Sequence, residues 1–189
     1  MSNATLPSRE QAIELLHEWV ANVNLRKHCY AVEAAMRAYA RKYGEDEARW
    51  GLAGLIHDFD WERHPSAELH PVKGVEILRG LGWPDDICAA ILGHATHTGV
   101  ARDSLMAKTL FACDELSGFL VACSLVTPER KLASVAVESV KKKMKSSGFA
   151  KNVNRDDITN GAAELGVDLD EHIAFVKDAM LAIAPELGL

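Results

Sequence analysis

Six residues of types that bind metal ions read together as inward or helix-end positions: His28, His57, Asp58, His70, His94 and Asp114. Asp114 lies in LFACDELSGFLVAC, a segment so apolar that, as a helix, much of it must be buried. An unpaired carboxylate there would cost several kcal/mol, comparable to the whole stability of a small domain. His28 falls on one helical stripe with Leu25, Val32 and Met36, and His94 shares a face with Ile87, Ala90 and Ile91. His57 and Asp58 are adjacent at the end of the apolar run LAGLIHDF. Neighbours in a regular helix diverge by about 100°, but where the helix ends the backbone can turn both toward one point. His70 stands just before Pro71, at the mouth of another helix. Singly, each has a plainer reading: Asp114 paired with a Lys or Arg, His28 hydrogen-bonded in a core, Asp58 merely starting a turn. Together, four imidazoles and two carboxylates favour a metal cluster, because ligation compensates buried carboxylates and uses mixed N and O donors.

The elements that must position these residues read as helices almost throughout. Ser8 and Gln11 form a capping box for a first helix to about Val20. Asn24 is expected to cap a second helix stopped by Gly44, and a third carries ARWGLAGLIHDF to near Asp58. The stretch FDWERHPSAEL lacks periodicity and reads as a loop. Pro71 and Pro84 each suit a helix start, and Asp103 or Ser104 caps a long apolar helix to about Val126. Pro128 is expected to open the next helix, through KKKMK, followed by helices from Asp156 to about Leu165 and from Asp168 to Ala184. No run alternates with period two, so the expected fold class is all-α, a helical bundle.

With these elements in place, His28, then His57-Asp58, then Asp114 resemble the H…HD…D pattern of the HD-domain superfamily of metal-dependent phosphohydrolases. GLAGLIHDFD is similar to that family's apolar helix ending in its HD doublet. The resemblance covers about residues 20–125; the helices of 128–189 lie outside it and are expected to pack on it, making 1–189 a single HD-type domain. HPVKGVEIL, beginning at His70, resembles the H-P-x-x-G segment of two-metal members, and His94 resembles their next histidine. Those members often double that histidine, whereas this chain has Ala95 and then His97. The resemblance implies one or two divalent ions (Mn, Fe, Co, Zn or Mg). It places His28, His57, Asp58 and Asp114 around the first, and His70, His94 and a bridging, catalytic Asp58 around the second. It implies hydrolysis of a phosphate ester of a small molecule such as a nucleotide by a metal-activated water. The same ligand set also serves diiron oxygenases of the HD fold, and a non-catalytic metal-binding regulator is a third reading.

Around this centre, Trp61 could stack on a base or simply pack the 59–69 loop, while Arg63, His64 and Lys108 are candidates to meet a phosphate, with a solvated flank residue as the equal alternative for Lys108. Asp60 and Glu62 could assist proton transfer, though nothing in the sequence assigns that role. His17 and His172 read as structural or surface residues, and Lys141-Lys142-Lys143 with Lys145 as a solvated helix end. A net charge of -6 argues against broad nucleic-acid or anionic-membrane binding. Leu105 to Val126 is interrupted by Lys108, Asp114 and Glu115, so no membrane span is expected. Cys29, Cys88, Cys113 and Cys123 form no C-x-x-C pair and read as reduced core thiols. MSNATLPSREQ lacks a secretory pattern. A cytoplasmic location follows as the expectation; oligomeric state is not encoded in any of these features.

Overall fold

The computed structural model describes residues 6–189; residues 1–5, part of the stretch read above for a secretory signal, lie outside the described residues. Among the described residues every regular element is helical. The order is α1 Arg9–Trp19, α2 Val23–Tyr43, α3 Glu47–Ile56, α4 Val72–Gly80, α5 Asp85–His94, α6 Leu105–Leu125, α7 Val137–Met144, α8 Arg155–Leu165, α9 Leu169–Leu181 and α10 Ala184–Leu187. Short 3-10 turns lie at Thr96–Thr98 and Leu132–Ser134. The fold is an all-α bundle, and no helix in it is long and apolar enough to cross a membrane.

Two long helices, α2 and α6, form the axis on which the others pack. Helix α1 has the expected capping box between Ser8 and Gln11. Helix α2 is capped by Asn22, not Asn24: the Asn22 side chain accepts the backbone N–H groups of Asn24 and Leu25, and its own N–H donates to Glu62. Gly44, at φ 72°, ends it in the left-handed region. Helix α3 crosses α2 closely, because a Cβ on Gly54 would stand 2.9 Å from the Val32 carbonyl oxygen and 3.0 Å from the Glu33 backbone. This contact brings the end of α3 beside His28.

Helix α6 is buried along most of its length, and its hydroxyls are satisfied internally: Thr109 donates to the Leu105 carbonyl and Ser117 to that of Cys113. The next helix does not open at Pro128. A turn and a 3-10 segment intervene, and α7 begins only at Val137, because Leu132 and Val135 are buried and the chain must first fold back to bury them. Its Lys141 is ion-paired with Asp170 at 2.8 Å, joining α7 to α9. Helix α8 lies on α6, and α9 on both α2 and α6. There His172 donates through Nε2 to the Ala112 carbonyl and accepts the Tyr39 hydroxyl at Nδ1. His17 bonds the Tyr30 hydroxyl. All four cysteines are buried and free.

Candidate metal centre

Helix α3 ends at Ile56, and the turn that follows sets Asp58 in the wall of a cleft with His57 fully buried next to it. His57 is fully buried, and its Nδ1–H donates to the Gly54 carbonyl at 2.8 Å. That bond leaves the Nε2 lone pair pointing at Asp58 Oδ2, 3.5 Å away, and at Asp114 Oδ1, 3.4 Å away. His28, from α2, brings its Nε2 to 2.9 Å from Asp114 Oδ1 and 3.8 Å from Asp58 Oδ2. His28, His57 and Asp114 thus converge as one donor group.

The second group is Asp58, His70 and His94. His94, at the end of α5, donates its Nδ1–H to the Ile91 carbonyl. His70, at the mouth of α4, donates its Nδ1–H to Asp60 Oδ1 at 2.8 Å. The other Asp60 oxygen accepts the Gly74 N–H at 3.0 Å, and a Cβ on residue 74 would stand 2.6 Å from this carboxyl group. The two free Nε2 atoms face each other at 3.3 Å and stand 3.2 Å and 3.5 Å from Asp58 Oδ1. Asp58 therefore presents one oxygen to each group.

The arrangement fits cations. Three imidazoles have their Nδ1–H groups committed to oxygen acceptors, which turns their Nε2 edges toward the carboxylates and toward one another. The His57 Nε2 is buried with no hydrogen-bond partner, an arrangement expensive to maintain without a positive charge between the donors. Ligand arms of about 2.0–2.2 Å place neighbouring donor atoms about 3.0–3.5 Å apart, close to the separations seen here. Electrostatics agree. Burial pushes His57 down, but Asp58 and Asp114 outweigh it and raise its pKa to about 9. Burial likewise opposes His70, which Asp58 and Asp60 lift to about 9. Burial pushes both Asp58 and Asp114 up, yet the surrounding imidazoles hold each below the usual carboxylate range.

The centre lies at the base of a cleft of about 580 Å³. Trp61 lines it, edge-on to His70 at 5.0 Å between ring centres. Arg63, His64 and Lys108 are not among its lining residues. The Arg63 guanidinium instead lies 4.0 Å over the Trp19 ring and donates to the Glu18 carbonyl, and His64 also sits beside Trp19. These contacts anchor the loop to α1. Lys108 lies on the α6 flank, in the field of Glu164.

Sequence reasoning did not find Glu115, Asn152, Asn154 and Asp157, which line the cleft wall. Burial and the neighbouring Asp114 push Glu115 up to about 7. Arg155 fixes the segment before α8 by donating to the carbonyls of Phe149, Ala150 and Val153. Among the described residues no Lys or Arg lines the cleft.

The HD-domain family model matches residues 25–118, the segment that contains all six donors. The chain belongs to the HD-domain superfamily, whose members are generally metal-dependent hydrolases. Ribonuclease Y of Oleidesulfovibrio alaskensis is 33% identical over 96 residues, 50% of this chain but only 18% of that protein's length. No solved structure matches the chain.

Proposed function

We propose that the protein is a phosphohydrolase that cleaves a phosphate ester of a small molecule in the cytoplasm, using one or two divalent ions held by His28, His57, Asp58, His70, His94 and Asp114. The observation that carries this reading is the pair of adjoining donor groups with an Asp58 oxygen turned toward each, and the buried His57 Nε2 lacking any hydrogen-bond partner. Divalent ions bound there would supply Lewis acidity toward a phosphoryl oxygen and lower the pKa of a water nucleophile.

The chain's own residues account for the rest. Asp58 faces both donor groups, so the catalytic role falls to it. Asp60 holds the His70 ring with Nε2 toward the cleft, and Gly54 does the same for His57 through its carbonyl. Because no Lys or Arg lines the cleft among the described residues, phosphate binding there depends on the bound cations. Trp61 is the residue placed to stack on a base if the substrate is a nucleotide. The name of the ribonuclease relative, a protein that cleaves phosphodiesters in RNA, supports phosphorus–oxygen bond hydrolysis as the reaction class.

The test is phosphate or phenol release from aryl phosphate mono- and diesters and from nucleotides by protein loaded with Mn, Co, Zn or Fe. Turnover that is lost in Asp58→Ala supports the reading. Oxygen uptake by the iron-loaded protein, with no phosphate released from any ester, would replace it with the oxygenase reading.

A further inference from the structure

The face of α6 that carries Asp114 does not end at the metal centre. Gly118 lies one turn on, Val121 and Ala122 the next, and Leu125 another, all at helical spacing on the same side. These four residues line a second pocket of about 400 Å³, within the size range of small-molecule sites. Asn24 and Lys27, in the first turns of α2, line it too, together with Leu187, Gly188 and Leu189. His28 and Gly118 line both this pocket and the metal cleft.

Gly118 keeps the junction open. A Cβ built there would meet only His28 Nδ1, at 3.9 Å, so nothing fills the space above this residue. Beyond His28 the second pocket has no aromatic ring on which a base could stack; its apolar lining is aliphatic. The apolar character continues outward, with Leu125 45% exposed and Val23 and Val126, adjacent in the chain to lining residues, 59% and 55% exposed. Solvent-facing aliphatic residues beside an aliphatic pocket that shares His28 and Gly118 with the metal cleft match an amphiphile in shape and chemistry.

We propose that this pocket receives the hydrocarbon part of the substrate, so that the chain acts on phosphate monoesters of aliphatic alcohols, with the phosphate at the metal centre and the alkyl chain passing over Gly118. This rests on the phosphohydrolase reading for the identity of the head group. Water adds at phosphorus, the ester P–O bond breaks, and inorganic phosphate and the free alcohol leave, the alcohol taking one proton from the water.

The experiment is calorimetric binding of ethyl, butyl, hexyl and octyl phosphate, with adenosine monophosphate for comparison, to the manganese-loaded full chain, with phosphate release measured in parallel. Affinity should rise about two- to fourfold per added methylene. The slope should flatten in Ala122→Trp, which fills the pocket, and in Leu125→Asp, a partly exposed position where a charge opposes the chain without threatening the fold. Binding indifferent to chain length, a slope that both variants retain, or adenosine monophosphate bound more tightly than octyl phosphate would overturn the proposal. A slope that behaves as expected with no phosphate released from any ester would leave the pocket standing and remove the hydrolase reading alone.

Discussion

The Asp60 carboxylate accepts the His70 Nδ1–H at 2.8 Å while its second oxygen is held by the Gly74 backbone, so a buried acid that binds no metal itself fixes the aim of one that would. Such supporting carboxylates raise the basicity of the imidazole and set its tautomer. Asp60→Asn should therefore lower affinity at the Asp58, His70 and His94 group by about 10–100-fold while the His28, His57 and Asp114 group still binds. Metal titration followed by mass spectrometry would reveal this as selective loss of one equivalent. Equal weakening of both groups would show that Asp60 acts through the fold instead.

Protonation should follow the occupancy of the centre. In chelator-treated protein His57 and His70 have pKa values raised from 6.5 to about 9 by the neighbouring carboxylates, against the push of burial. A raised folded-state value contributes stability that is fully present below the unfolded value of 6.5 and is lost as pH rises through about 9. The chelated protein should thus lose thermal stability between these limits. Protein loaded with metal should lose much less, because the cations replace those protons. Melting curves across this range, with and without metal, check the difference.

Much of the helical frame and the six donors could be read from the sequence because helical period determines which residues face inward. His28 among Leu25, Val32 and Met36, and His94 among Ile87, Ala90 and Ile91, were legible on that ground, and the structure brings both to the cleft. Local choices between near-equivalent caps were not: Asn22 and Asn24 are both good caps, and the bond from Asn22 N–H to Glu62 of a distant loop accompanies the choice of Asn22. Pro128 suited a helix start, but the burial of Leu132 and Val135 outweighed it. Arg63 and His64 lie in a loop without period, so sequence could not show that Trp19 holds them away from the cleft. Glu115, Asn154 and Asp157 meet only because α8 lies on α6, a contact with no local signal.

The close crossing of α2 and α3 makes Gly54 sensitive to any side chain. Gly54→Ala would press a Cβ to within about 3 Å of the α2 backbone, an overpacking expected to cost about 1–3 kcal/mol. Because the crossing also positions His28 beside His57, metal affinity should fall along with the melting temperature. A fall in stability alone, with metal binding intact, would mean that α2 can shift without moving His28.

Tyr39 and His172 provide a contrasting case, outside both donor groups. Tyr39→Phe leaves the buried His172 Nδ1 without its hydroxyl donor, at a cost of about 1–3 kcal/mol. Denaturant unfolding should show that loss, while metal content stays at the parent value. A change in metal content would show that α9 holds α2 in the register that the centre requires.

The central claim is that these histidines and aspartates form a metal centre and not merely a polar core. Its most direct test is metal content by mass spectrometry for protein purified without an affinity-metal column, compared with Asp58→Ala and Asp114→Ala. The parent should carry about one or two equivalents of a transition metal, and both variants should lose it while their circular dichroism remains helical. A parent that holds no metal and takes up none of Mn, Fe, Co or Zn would contradict the account, and the proposed hydrolysis would fall with it.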